Sequence, residues 1–196
     1  MPNETTKNKI VNVASKLFGR YGFYKTSMDE IARISRKAKG SLYYHFRGKE
    51  ELYTEVVALE FHNLKSQLSP IVEEDHLKAD KKIKKYLLKR MEVLHSASNY
   101  HETLKADFLE HFDFEFIDNL RNEMDVWEKE QIKQILLQGI REGVFAEPKR
   151  DINVLLDVFI MVLKGLEIPF FLQKKYGQYA PYFDDLLEIL IKGVGK

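Results

Sequence analysis

The chain of 196 residues contains no cysteine, one tryptophan and only five prolines. The absence of cysteine excludes disulfide bonds, thiolate metal sites and thiol nucleophiles. The longest apolar stretch, residues 154–172, is interrupted by Asp157, Lys164 and Glu167, which argues against a membrane span. The first ten residues are polar and lack the apolar centre of a signal peptide. We therefore expect a soluble, cytoplasmic protein that uses no cofactor.

Catalytic patterns are also missing. The sequence has no Gly-rich phosphate loop and no nucleophile elbow, so we do not expect an enzyme. Asp107 and His111 are one helical turn apart, with His95 and His101 nearby, and they are the best candidates for metal ligands. Because no H-E-x-x-H pattern accompanies them, surface histidines explain this spacing better, and we predict no metal site.

The net charge of +1 hides an asymmetry along the chain. Residues 1–50 contain 11 Lys and Arg against 4 Asp and Glu, a net charge of +7. Residues 51–196 contain 20 basic against 26 acidic residues, a net charge of −6. A basic segment joined to an acidic remainder is typical of a protein that binds a polyanion at one end.

Apolar residues recur at helical spacing along almost the whole chain, which predicts an all-α fold of about nine helices. Thr5 or Thr6 is placed to cap the first helix, and Ser27, followed by Glu30, forms a capping box for the second. The later helices are predicted at about 39–46, 49–67, 80–96, 100–111, 117–142 and 152–172, with a last one beginning at Pro181. Pro70 is expected to stop the fourth helix and Pro169 to bend the eighth.

A short break at residues 35–39 joins the second and third predicted helices, which is the layout of a helix-turn-helix motif. Arg36, Lys37 and Lys39 stand at the start of the third helix, where the helix dipole favours anions. Cations in this position are locally unfavourable, because the N-terminal end of the helix dipole is positive. A bound phosphate would make the interaction favourable, since both the cations and the helix N-terminus attract it. Leu42 and Phe46, four residues apart, are expected to hold the short helix against the first two. The pattern therefore predicts a DNA contact.

The stretch TSMDEIARISRKAKGSLYYHFRGKEELYTEVV, residues 26–57, resembles the DNA-binding region of the TetR family of bacterial transcriptional regulators. The preceding helix fits the same pattern from about residue 8. The resemblance implies a helix-turn-helix DNA-binding domain at 1–50 and a helical ligand-binding and dimerisation domain at 51–196. It implies a homodimeric transcriptional repressor that a small hydrophobic or aromatic inducer releases from a palindromic operator in double-stranded DNA. A low-specificity architectural DNA binder and a protein–protein adaptor on the same fold remain alternatives.

The resemblance also implies roles for single residues. Thr26, Ser27, Tyr44 and Lys49 are expected to hold the DNA backbone, whereas Lys39 and Gly40 are expected to meet bases. With the cations named above, the predicted DNA-binding set is Thr26, Ser27, Arg36, Lys37, Lys39, Gly40, Ser41, Tyr43, Tyr44, His45 and Lys49.

Two further sets are predicted in the acidic remainder. The eighth and last helices are apolar over more than one face, so two copies of the chain are expected to cover each other there. The dimerisation set is Leu155, Phe159, Val162, Leu166, Phe183, Leu186, Leu187 and Leu190. Residues 100–118 combine aromatic rings with an excess of carboxylates, which suits a pocket for a lipophilic cation or, alternatively, buried aromatics between solvated acids. The ligand-binding set is Tyr86, Arg90, Tyr100, Phe108, Phe112, Trp127 and Phe159.

Arg90 lies beside an apolar stripe of the fifth predicted helix. A buried arginine would need a carboxylate, with Glu102 and Asp107 as candidates, or a ligand anion. The alternative, which we favour, is an edge position with the guanidinium reaching into water. The surrounding lysines 81, 82, 85 and 89 are expected to form a solvated face.

Overall fold

A computed structural model of the protein describes residues 5–106 and 115–194. The prediction of an all-α fold with about nine helices is confirmed for these residues. A turn of π-helix at Ile168–Leu172 follows the eighth helix, and none of the described helices is long and apolar enough to cross a membrane. The helices are α1 (Thr6–Tyr21), α2 (Met28–Ser35), α3 (Lys39–His45), α4 (Lys49–Val72), α5 (Ala79–His95), α6 (Ser98–Ala106), α7 (Glu115–Arg141), α8 (Ile152–Glu167) and α9 (Tyr176–Val194).

The chain is divided into two compact units. Unit 1 comprises residues 1–62 and 97–120, and unit 2 comprises residues 63–96 and 121–196. Helices α4 and α7 therefore contribute residues to both units. The domain boundary predicted after residue 50 separates a DNA-binding function from a ligand-binding and dimerisation function. It stays a prediction.

The core of unit 1 forms where α1, α2 and α3 meet. Ile10, Phe18, Ile31 and Leu42 are fully buried there. Aromatic rings extend this core, since Tyr53 of α4 packs edge-on against Phe18 at 5.0 Å between ring centroids. These contacts hold the short helix α3 in place through its apolar side, as the spacing of Leu42 and Phe46 predicts.

Local side-chain chemistry explains where the first helices begin and end. The Thr5 and Ser27 hydroxyls accept hydrogen bonds from the N–H groups of Asn8 and Glu30, each at 3.2 Å, so both predicted N-caps are confirmed. Arg36 ends α2 in the left-handed region, with φ 55°. The turn between α2 and α3 is thereby closed, because the Lys37 N–H reaches back to the Ala32 carbonyl at 3.0 Å.

The helix boundaries predicted at two prolines are wrong. Helix α4 continues through Pro70 to Val72, and α9 begins at Tyr176, five residues before Pro181. Each proline removes one backbone hydrogen bond, and in both places the proline lies near a helix end, where neighbouring turns keep the helical path. Pro169 behaves differently, because α8 ends at Glu167 and the proline is the second residue of the π-helical turn.

A carboxylate of α4 caps the start of α6 inside unit 1. Glu60 accepts hydrogen bonds from the backbone N–H groups of Asn99 at 3.2 Å and Tyr100 at 2.8 Å, and from the Asn99 side chain at 2.8 Å. The Tyr53 hydroxyl donates to the Asn99 carbonyl at 2.7 Å, and the Asn99 amide also donates to Ser15 of α1 at 3.3 Å. The start of α6 is therefore bonded to both α1 and α4.

Burial raises the pKa of the Glu60 carboxyl, and this effect outweighs its three hydrogen bonds. The folded chain then binds a proton at Glu60 more readily than the unfolded chain does. The contribution of this proton to stability is present below the ordinary carboxyl pKa and is lost as the pH rises through the raised pKa. We expect Glu60→Gln to lose this part of the pH dependence. Denaturation of both proteins across pH 4–8 measures it, and parallel stability curves would contradict the expectation.

The core of unit 2 is built from α5, α7, α8 and α9. Its most buried apolar side chains include Met91 of α5, Ile135 of α7, Leu156 of α8 and Leu187 of α9. Gly139 of α7 is required here, because a Cβ atom at this position would lie 2.0 Å from the buried ring of Phe145. The chain that follows α7 therefore packs directly on the helix backbone.

Candidate nucleic-acid interface

Helix α3 has one buried side and one exposed side. Leu42 and Phe46 are 0% and 2% exposed, whereas Tyr43 and Tyr44 are 47% and 86% exposed. A Cβ atom added at Gly40 would meet nothing within 4 Å, so the backbone there is open to a partner. The exposed side of α3 thus presents two phenol groups and an unobstructed stretch of backbone.

The cations around α3 differ in what they contact. The Lys39 ammonium pairs with the exposed carboxylate of Asp29 on α2 at 2.7 Å, which raises the pKa of Lys39. Lys37 donates to the Thr6 hydroxyl at 3.2 Å. Lys49 donates to the Phe23 carbonyl at 3.0 Å and lies 4.3 Å from the centre of the Phe23 ring. Arg36 is exposed at the turn.

The other predicted DNA-binding residues also differ in how far their side chains are exposed. Thr26 is 1% exposed, and its hydroxyl donates to the Gly22 carbonyl at 2.9 Å. Ser27 is exposed, and Ser41 and His45 are half-buried. The side chains of Thr26, Lys37 and Lys49 are thus engaged within the fold, whereas the accessible groups are centred on α3 and the turn before it.

Asp29 is a residue that sequence analysis did not single out. An acidic residue in the first turn of a helix is ordinary, because it complements the helix dipole, so its sequence position carries no functional information. In the structure its carboxylate pairs with the ammonium of Lys39, which is predicted to meet a base. On that prediction, Asp29 would compete with DNA for Lys39.

We expect Asp29→Asn to raise the affinity for DNA about two- to fivefold, since an exposed ion pair is weak and its loss frees Lys39. Fluorescence anisotropy with labelled DNA at fixed salt measures the change. The same substitution in a Lys39→Ala background is the control, and there the gain should largely disappear. An equal gain in both backgrounds would mean that Asp29 acts only through its long-range charge.

The predicted ligand-binding residues that the structure describes are divided between the two units. Tyr100 belongs to unit 1, whereas Tyr86, Arg90, Trp127 and Phe159 belong to unit 2. Phe108 and Phe112 lie outside the described residues, as do Asp107 and His111. The remaining described residues contain no group of three or more His, Asp or Glu arranged to hold a metal ion.

Arg90 is 3% exposed, so the expected edge position is wrong. Its guanidinium donates to Glu128 of α7 through Nε and to Glu167 of α8 through Nη2, each at 2.6 Å. Tyr86 lies one turn away, and its hydroxyl is 3.5 Å from Glu128. Burial, and after it the charge of Glu128, raises the pKa of Tyr86. Of the two carboxylates suggested from sequence, Glu102 pairs with Lys105, and Asp107 lies outside the described residues.

Lys82 is buried as well. It was expected in a solvated face but is 2% exposed, and its ammonium donates to the Val72 carbonyl and the Gln138 side chain, each at 2.8 Å. Lys81, Lys85 and Lys89 are exposed or half-buried, as expected. Unit 2 therefore buries two cations among α4, α5, α7 and α8.

Apolar side chains remain exposed on α8 and α9. The α8–α9 face, as we name it, comprises residues four or seven positions apart on each helix. Part of the predicted dimerisation set lies on it, whereas Phe183 and Leu187 are buried and Phe159 and Leu166 are half-buried. The face consists of Val154, Leu155, Val158, Met161 and Val162 of α8 and Tyr182, Leu186, Ile189 and Leu190 of α9, which are 43–68% exposed.

The packing of α1, α2 and α3, with α3 exposed along one side, defines a helix-turn-helix protein. Residues 10–56 match the profile described as bacterial regulatory proteins, tetR family. Residues 10–56 are therefore similar to the DNA-binding region of this family.

The curated relatives that the chain matches are named as transcriptional regulators. The HTH-type transcriptional regulator QacR of Staphylococcus aureus is 44% identical over 54 residues, which cover 28% of this chain and 29% of that protein. SrpR of Pseudomonas putida, also named an HTH-type transcriptional regulator, is 26% identical over 166 residues, covering 83% of this chain and 72% of that protein. The matches to the first curated relatives thus span less than a third of their length.

The fold extends over the whole chain in solved structures. A transcriptional regulator from Cytophaga hutchinsonii superposes with a TM-score of 0.73 at 23% identity, covering 95% of this chain and 97% of that one. At this identity the likeness concerns the fold alone.

Proposed function

We propose that the protein is a homodimeric transcriptional repressor that binds a palindromic operator through α3 and is released by a small hydrophobic or aromatic inducer. The observation that carries the proposal is the exposed side of α3, where Lys39, Gly40, Tyr43 and Tyr44 are accessible while Leu42 fixes the helix from beneath. Lysine and tyrosine side chains donate to phosphates and base edges. Such a protein acts without catalysis, in the cytoplasm, where bacterial DNA is found.

A second observation supports dimerisation. Nine apolar side chains of the α8–α9 face are exposed in the isolated chain, and a contiguous apolar surface of this kind marks an interaction site. Two copies related by a two-fold axis would cover it and would place two α3 helices on half-sites about one helical turn apart. The dimer would then read a palindrome.

Selection of binding sites from a random DNA pool at two salt concentrations tests the proposal. We expect a palindrome with half-sites about one turn of DNA apart. Recovery of no consensus, with binding that disappears at the higher salt, would contradict it and favour an architectural DNA binder. Absence of DNA binding at both salt concentrations would favour the protein–protein adaptor.

Within this function we expect Lys39→Ala to weaken operator binding about 10- to 100-fold, the range for loss of a good base contact, and to relax sequence preference at one position of each half-site. Repeating the site selection with the variant and titrating the operator measure both effects. Lys81→Ala, an exposed lysine of α5, changes the net charge equally and serves as the control. Uniform weakening across sequences would assign Lys39 to a phosphate instead of a base.

A further inference from the structure

The turn between α1 and α2, residues 22–27, is bonded by two side chains that were expected to hold the DNA backbone. The Thr26 hydroxyl donates to the Gly22 carbonyl at 2.9 Å. The Lys49 ammonium, at the start of α4, donates to the Phe23 carbonyl at 3.0 Å. Both side chains therefore stabilise the backbone of the same turn.

Phe23 fixes this turn to the core of unit 1. Its side chain is 5% exposed, and its ring centroid lies 5.0 Å from that of Tyr53 and 5.9 Å from that of Phe18. The Lys49 ammonium lies 4.3 Å from the centre of the Phe23 ring, where the ring quadrupole attracts a cation. If Lys49 moved to a phosphate, it would lose both the carbonyl and the ring, so its contacts favour a structural role.

The same turn presents another lysine to solvent. Lys25 and Ser27 are exposed, whereas Thr26 between them is 1% exposed. Because Thr26 points into the core, Lys25 and Ser27 lie on the outer surface of the turn. The family resemblance implies that Ser27 meets the DNA backbone. Lys25 therefore lies beside a residue that is expected at a phosphate.

Lys25 also lacks an acidic partner in the part of the chain that the structure describes. Residues 6–25 contain five basic residues and no acidic one. The next acidic residue along the chain, Asp29, pairs with Lys39 at 2.7 Å. The Lys25 ammonium is thus available to a polyanion, and DNA presents one negative charge for about every 1.7 Å of its axis.

We propose that Lys25 contacts a DNA phosphate and that Lys49 is a positioning residue, which fixes the turn that carries Lys25 without touching DNA. The proposal rests on the proposed function, because it requires that the start of α2 faces the operator. A phosphate contact carries no direct sequence information, so Lys25 contributes to affinity and orientation and leaves the choice of bases to α3.

Lys25→Gln tests the phosphate contact, and its exposed position lets the variant fold as the wild type does. Each lost contact lowers the slope of log affinity against log salt by about 0.9, so a dimer with two copies should lose about 1.8. The ratio of wild-type to variant affinity should then shrink about 12-fold between 50 and 200 mM salt. Anisotropy titrations of the selected operator over this range measure the slope.

Lys81→Gln is the matched control, because it removes the same charge from an exposed lysine of α5 and should leave the slope unchanged. An unchanged slope with Lys25→Gln, or an equal fall with Lys81→Gln, would overturn the phosphate contact. Absence of operator binding by the wild type would refute the proposed function together with this inference. Wild-type operator binding with an unchanged Lys25→Gln slope would refute this inference alone.

Lys49→Ala tests the positioning role. We expect weaker operator binding with the wild-type salt slope, because the turn must then be ordered on binding while the number of phosphate contacts stays the same. Lys49→Gln retains a donor for the Phe23 carbonyl and should recover part of the affinity, again with the wild-type slope. Circular dichroism establishes that both variants are folded. A slope lowered by about 1.8 in either variant would assign a phosphate to Lys49 and contradict the proposal.

Discussion

Arg90→Met is expected to lower the free energy of unfolding by about 3–5 kcal/mol, the range for removing one partner of a buried ion pair. The side chains of Arg90, Glu128 and Glu167 are 3%, 3% and 0% exposed, so the variant leaves two carboxylates without their shared cation. Methionine keeps an unbranched side chain, and the loss therefore measures charge more than volume. Urea denaturation followed by circular dichroism gives the value.

Two controls separate this effect from a general sensitivity of α5. Lys89→Met alters the neighbouring residue, whose ion pair with Glu92 is largely solvated, and should change stability by less than about 1 kcal/mol. The triple variant Arg90→Met, Glu128→Leu, Glu167→Leu should recover most of the lost stability, because apolar replacement of a whole buried cluster is often neutral. If Arg90→Met alone were as stable as the wild type, the carboxylates of Glu128 and Glu167 would have found other partners.

Ile189→Glu is expected to raise the dissociation constant of the proposed dimer at least about 100-fold, because a two-fold interface brings the new charge close to its own copy and removes it from water. Ile189 is 67% exposed on the α8–α9 face, so the monomer should fold normally. The monomer should bind a palindromic operator no better than it binds one half-site. Sedimentation velocity and anisotropy titrations measure the two effects.

Val126→Glu provides the matched control for this prediction. Val126 is an apolar residue of α7 with 69% exposure, and it lies outside the α8–α9 face. We expect it to leave both the dimer and the operator affinity unchanged. A dimer that survives Ile189→Glu but is lost with Val126→Glu would move the interface to α7.

Features set by a few neighbouring residues could be predicted from the sequence. The N-caps at Thr5 and Ser27 follow from single hydroxyls, and the burial of Leu42 and Phe46 follows from helical periodicity. Pro70 and Pro181 show the limit of such reasoning, since their helices tolerate one lost hydrogen bond.

Features that join distant residues could not be predicted. The partners of Arg90 lie 38 and 77 positions along the chain, and helical periodicity says only which face of a helix a residue occupies. Lys82 was misplaced for the same reason, because its acceptors come from α4 and α7.

The N-terminus of α3 has a consequence for the motion of the free protein. This helix has seven residues, and its N-cap, Ala38, offers no side-chain hydrogen bond. A helix this short is unstable alone and depends on the burial of Leu42 and Phe46. Its amide hydrogens should therefore exchange with solvent through local opening, before unit 1 unfolds as a whole. In the proposed function, operator binding would close that opening, so part of the binding free energy would be used to order α3.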